Sequence, residues 1–179
     1  AALAFFEKAL DADPRMLEPL ATAAELLAER QEWSELEATY RRMLARVDRI
    51  PEPEIRGRVR FELNRRLALL FRDHLEDPEA ALRALEKAIA DKPEDLVTRQ
   101  AAVALARELG RWDTARTHLQ RCARIDPMVV QTYHDLFDVF QKLKRPDQAW
   151  LAASVTSQLG HAEEREHFIY QEGKTDGPP

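Results

Sequence analysis

Pro93 and Pro127 stand thirty-four residues apart, and much of what lies between them recurs at the same step. Ala81, Ala115 and Ala149 form one ladder, Leu85 and Leu119 a second, and Ala88 aligns with Cys122. Near the start, Ala2 aligns with Leu36, Phe6 with Tyr40 and Ala9 with Met43. A period of this length belongs to a supersecondary unit, which buries its apolar face by stacking on the next unit. Composition says what the unit is made of. Ala, Leu, Glu and Arg dominate, Val, Ile and Thr are few, and the chain has five glycines, a mixture that favours helix over sheet. The expected fold class is therefore all-α, with antiparallel helix pairs stacked in series.

The punctuation agrees. Asp13-Pro14, Lys92-Pro93 and Asp126-Pro127 close one helix and prepare the next. Asp77-Pro78-Glu79 and Arg145-Pro146-Asp147 open helices, because Pro suits a first turn. Gly110 and Gly160 fall just beyond periodic segments, as C-terminal caps do. Helix pairs are expected over 15–30 and 33–48, 53–74 and 78–91, 94–109 and 112–125, and 128–143 and 146–159. A partial helix opens the chain and another follows residue 161.

Aligned at this step, Leu96–Pro127 carries Ala102, Leu109-Gly110, Trp112, Ala115, Leu119, Cys122 and Pro127. Val130–His161 carries Tyr133, Leu136, Phe140, Ala149 and Ala153. Leu17–Asp48 carries Leu20, Ala23, Ala24, Leu27, Trp33, Tyr40 and Met43, and Phe61–Pro93 carries Leu67, Ala68, Phe71, Ala81, Leu85 and Ala88. In this register the chain resembles the tetratricopeptide repeat (TPR) family. The resemblance implies a right-handed α-solenoid over 1–171. Its parts are a half repeat (1–14), repeats 15–48, 53–93, 94–127 and 128–161, and a capping helix (162–171), followed by a flexible tail (172–179). The opening Ala1-Ala2-Leu3, without Met, reads as the middle of a repeat, so a fragment of a longer, bacterial protein is expected, as the excess of Arg over Lys also suggests.

Departures from the pattern carry information. Leu36 and Phe137 stand where the family has small residues, so those helix pairs should splay. Pro14 to Pro93 is 79 residues, eleven more than two periods. Ten of the extra residues lie between Asp48 and Phe61, and one near Leu75-Glu76. Ile55, Val59, Leu63, Leu67 and Leu70 keep one apolar stripe through the insertion, which predicts a lengthened helix projecting about two turns. Gly57 weakens that helix by ~1 kcal/mol relative to Ala.

The resemblance also implies a concave groove lined by the first helix of each pair. Carried onto this chain, its positions include Arg65, Arg66, Leu69, Arg72, Gln100, Arg107, Gln131, His134 and Asp138. Arg58, Arg65 and Arg72 stand seven apart and share one helix face, and Arg107 is expected to approach them from the next pair. Residues 41–72 hold ten arginines against Asp48, Glu52, Glu54 and Glu62. Arg presents a rigid fork to carboxylate or phosphate. The expected function is a non-catalytic scaffold that captures a partner peptide or helix, with an acidic or carboxylate-bearing segment as the partner chemistry. Three alternatives stay open: a solvated face paired through Glu62, a polyanion or nucleic-acid surface, and a regulatory domain of a larger enzyme. The Lys and Asn clamp by which some family members hold a C-terminal carboxylate is missing, since those positions carry Ala21, Glu25, Val97, Ala101 and Asp135.

Chemistry of other kinds finds little support. A net charge of −5 disfavours general nucleic-acid binding. Cys122 is the single cysteine and reads as a core residue; His118, four before it, turns away and has no third group to orient it. His161 and His167 lie on different helix faces, and His134 beside Asp135 and Asp138 reads as a polar groove wall. No metal, cofactor or Gly-rich phosphate loop is expected. Trp33 and Trp112 share a repeat position and read as packing residues at a turn, and Trp150 as a half-exposed one. No run of eighteen apolar residues spans a membrane. The cytoplasm is the expected location, with any signal peptide lying upstream. Leu3, Phe6 and Leu10 lack a first helix to pack on, which offers a surface to a second copy of the chain.

Overall fold

Apolar residues spaced at three and four, punctuated by Pro, Asp and Gly, give ten helices in the computed structural model, which describes residues 2–15 and 17–176. They are α1 (Ala2–Ala12), α2 (Leu17–Glu29), α3 (Trp33–Val47), α4 (Pro53–Asp73), α5 (Pro78–Asp91), α6 (Leu96–Glu108), α7 (Trp112–Ile125), α8 (Val130–Lys142), α9 (Pro146–Gln158) and α10 (Glu164–Asp176). No strand occurs among the described residues. Trp33, Pro78, Trp112 and Pro146 each open a helix, and all four hold the same repeat position. The chain forms two compact units, Ala1–Thr98 and Arg99–Pro179.

In the first unit each helix from α1 to α5 packs on the next, with Leu10, Leu20, Leu27, Met43, Leu63 and Leu82 at the centre. Asp77 caps α5 by accepting the Ala80 N–H at 2.8 Å. Arg60 of α4 forks onto the buried Asp91 carboxylate of α5 at 2.5–3.0 Å. The insertion is helical from Pro53, as the stripe predicts, but it is not a free projection. Ile50 is 0% exposed, its carbonyl accepts from Arg56 at 3.2 Å, and Glu52 pairs with Arg15 at 3.4 Å. The connection thus uses its own isoleucine to plug the core and ties the start of α4 to the turn before α2. Of the bare face expected on α1, Leu10 is buried and Phe6 half-buried, and the Leu3 side chain lies outside the described residues; Phe5 beside them is exposed.

In the second unit α7 packs on α8, α8 on α9 and α9 on α10. Ala102, Ala106, Ala115, Cys122, Ala149 and Ala153 are all buried, as small residues must be where helices approach closely. Helix α10 runs through residues expected to form a flexible tail. Trp150 explains this. Its Nε1–H donates to the Tyr170 carbonyl at 3.3 Å, and a Cβ on Gly173 would overlap its indole, so Gly173 lets α10 lie against α9. Residues 177–179 lie outside the described residues.

The period is also written in the backbone. Gln31, Glu76, Gly110 and Lys144 all have left-handed φ, from +50° to +69°. The last three are thirty-four residues apart, and Gln31 joins them once the insertion is subtracted. After three of them the next N–H reaches a carbonyl five residues back: Glu32 to Leu27, Arg111 to Ala106 and Arg145 to Phe140. This is the Schellman closure of a helix end. After Glu76 the bond spans six residues, Asp77 to Phe71, which accommodates the extra residue expected in that turn.

Candidate partner-binding groove

The second unit holds a groove of about 840 Å³. Its apolar wall is Trp112 at the start of α7, Phe137 of α8, and Phe168 and Ile169 of α10. Phe137 is 3% exposed and forms the floor, whereas Phe168 is 62% exposed at the rim. The large residue at a position where this repeat usually carries a small one thus fills the base of the opening.

One buried carboxylate ties α10 to α8. Glu166 is 1% exposed; its Oε2 accepts the Glu163 N–H at 2.9 Å, closing the first turn of α10. Its Oε1 lies 2.7 Å from His134 Nδ1 on α8. His134 therefore fastens the last helix to α8, and in doing so fixes where Phe168 and Ile169 stand.

Charge along the groove is ordered. Arg107 at the end of α6 is held by Asp135 and, at 3.4 Å, by Asp138. Asp138 also accepts from Arg165 at 3.4 Å, and Arg165 reaches Glu163 at 3.3 Å. Lys142 has no carboxylate partner among the described residues; its ammonium lies 5.8 Å from the Trp112 ring centre. Trp33 makes the corresponding contact in the first unit, stacking on His74 at 3.8 Å. Ten of the eleven extra residues fall between Trp33 and His74, so His74 stands one position beyond the counterpart of Lys142.

Of the residues expected to form the site, Arg107 and Asp138 line this groove, His134 positions it, and Gln131 is exposed on α8 with its amide 3.4 Å from Asp135. Gln100 is exposed on α6. Arg58, Arg65, Arg66, Leu69 and Arg72 lie in the first unit along α4, with Leu69 exposed. Arg107 belongs to the second unit, where Asp135 and Asp138 hold its guanidinium.

The basic stripe itself is largely neutralised. Arg65 and Arg66 pair with Glu62 at 3.9 and 3.0 Å, and Arg72 with Asp73 at 2.7 Å. Arg41 pairs with Glu37, Arg42 with Glu35, Arg46 and Arg49 with Asp11, and Arg60 with Asp91. Arg58 alone of the ten has no polar partner among the described residues, since Arg56 donates to a carbonyl. Glu35, Glu37, Asp11, Asp73 and Asp91 all lie outside residues 41–72, so a count over that window misses them.

Cys122 and His118 are both buried in α7. Burial pushes the Cys122 thiol up, away from the thiolate. His118 is buried as well, with Arg99 Nη1 at 3.2 Å from its Nδ1, and burial together with that positive charge pulls its pKa down. The acceptor nitrogen facing Arg99 fixes a neutral ring. Among the described residues no cluster of three His, Cys, Asp or Glu could hold a metal ion. No described helix is long and apolar enough to cross a membrane.

What sequence reading missed is the contribution of α10. Glu166, Phe168 and Ile169 fall beyond the last repeat, where a cap was expected. Phe168 is exposed and Glu166 buried, a reversal of the usual polarity that no local spacing announces.

No family model matches the chain, and no curated protein matches it in sequence. Solved structures match its fold. The crystal structure of MamA superposes with a TM-score of 0.56 at 15% identity, covering 87% of this chain and 85% of MamA. The TPR-like repeats of a Podosopora anserina protein described as a kinesin light chain superpose with a TM-score of 0.52 at 14% identity, covering 90% of each chain. BtubC from P. vanneervenii gives 0.50 at 16% identity, over 91% of this chain and 71% of that one.

Proposed function

Given that the chain has the all-α solenoid fold of TPR-like repeats, we propose that it is a non-catalytic binding module. It holds an amphipathic segment of a partner protein in the groove between α8 and α10. Arrays of this kind leave an inner wall free, and extended binding surfaces are what they build from it. The observation that carries the reading is Phe168. A phenylalanine more than half exposed, beside Ile169 and over a floor of Phe137 and Trp112, is an unfilled apolar seat with charged rims.

The occupant's chemistry follows from those rims. An aromatic or aliphatic anchor fills the seat, and an adjacent carboxylate meets Lys142, the groove-lining cation with no carboxylate partner among the described residues. Arg107 and Arg165 are already shared with Asp135, Asp138 and Glu163, so they orient the walls. Helix-in-groove and extended-peptide binding both use such anchors.

Panning a random twelve-residue peptide library against the protein tests this. Enriched peptides should share an apolar anchor beside Asp or Glu, and Phe168→Ala should weaken them about tenfold, or ~1.4 kcal/mol. Folding should be unchanged, because the ring is exposed. Failure to enrich any peptide, or enriched peptides indifferent to Phe168→Ala, would overturn the reading.

A further inference from the structure

The first unit holds a second concavity of different character. It is a slot of about 380 Å³ floored by Asn64, Leu67 and Phe71 of α4. Arg41 and Leu44 of α3 form one wall, and Ala80, Arg83, Ala84 and Lys87 of α5 form the other. Its nine lining residues include three cations and no acid. The alanines leave the space, and the cations stand around it on long stems. These belong to the second helices of their pairs and to the far side of α4 from Arg58 and Leu69.

The cations are weakly committed. Arg41 reaches Glu37 at 2.7 Å with about two thirds of its side chain exposed, and Arg83 reaches Glu79 only at 3.9 Å with similar exposure. Exposed pairs of this sort contribute little and exchange partners readily. Lys87 is exposed and has no polar partner among the described residues. Beneath them, the buried Asn64 amide donates to its own helix at the Arg60 carbonyl, 3.0 Å away, and is the one polar side chain of the floor.

We infer that this slot binds an acidic segment of a partner protein, an apolar residue entering between the helices while flanking carboxylates meet Arg41, Arg83 and Lys87. Charge complementarity selects the occupant: a basic segment would meet three like charges, and an uncharged one would leave them unanswered. The site is independent of the α8–α10 groove and uses none of its residues. The acidic partner chemistry expected of the exposed arginines of α4 belongs here instead, where the cations surround a cavity.

A fluorescent twelve-residue peptide alternating Glu and Leu serves as the probe, read by anisotropy against versions with Gln or Lys in place of Glu. The Glu peptide should bind, the Gln peptide at least tenfold more weakly and the Lys peptide not at all. Measured in the Phe168→Ala background, where the α8–α10 groove is weakened, Arg83→Glu and Lys87→Glu, both exposed, should each weaken the Glu peptide about tenfold. Retained binding in both charge-reversed variants would overturn the site. So would no binding at millimolar peptide, or equal binding of a single-stranded oligonucleotide, which would mark a general polyanion surface. Loss on Phe168→Ala with no effect at Lys87 would place the peptide in the other groove and equally reject the slot.

Discussion

At the scale of single residues, the left-handed turn position is the sharpest record of the repeat. It carries Gln31, Glu76, Gly110 and Lys144, so only one of four copies has the residue for which positive φ is free of strain. A side chain there costs roughly 1 kcal/mol or more. Lys144→Gly should therefore raise stability by about 1 kcal/mol, seen as a higher urea midpoint at unchanged slope. His118 makes a second residue-scale prediction. Burial and Arg99 hold its folded pKa below the usual 6.5, so the unfolded chain takes up a proton first as pH falls. Its contribution to stability is complete above about pH 6.5 and declines below it until the folded imidazole is itself charged. His118→Gln should flatten the fall in urea midpoint between pH 7.5 and 5.5 relative to the wild type. The sequence reading turned His118 away from the core, but the residue is buried on the same face of α7 as Cys122. The sequence could not show that Arg99 closes over the ring from α6.

At the scale of elements, helix starts and the insertion were legible because each rests on local chemistry: Pro at a first turn, Gly beyond a last one, and an apolar stripe that continued through residues 53–60. What the insertion does was not legible. Ile50 looks like a loop residue until the fold shows it fully buried. Gly57 remains an internal weakness of α4, and a Cβ added there would meet nothing within 4 Å. Gly57→Ala should stabilise the first unit by about 0.5–1 kcal/mol, measured by thermal or urea unfolding. Helix α10 was the element least accessible to pattern reading. Its course depends on a glycine lying against Trp150 and on Glu166 meeting His134, contacts across 20 to 32 residues that no local spacing announces.

At the scale of the whole molecule, charge is where window counting and structure part. Ten arginines between residues 41 and 72 looked like a basic surface, yet eight of them meet carboxylates, most from outside that stretch. Folding spends that charge on joining helices, α1 to α3 through Asp11–Arg46 and α4 to α5 through Arg60–Asp91. Lys142 at the groove of the second unit and Lys87 at the slot of the first are two of the cations with no carboxylate partner among the described residues. The most direct measurement of the central claim uses the three tryptophans as reporters in one NMR titration with a groove-selected peptide. The indole N–H of Trp112 should shift as the peptide fills the groove it lines, together with the Ile169 methyls, while Trp33 stays in place. A peptide that moves Trp33 and leaves Trp112 and Ile169 unperturbed would contradict the account.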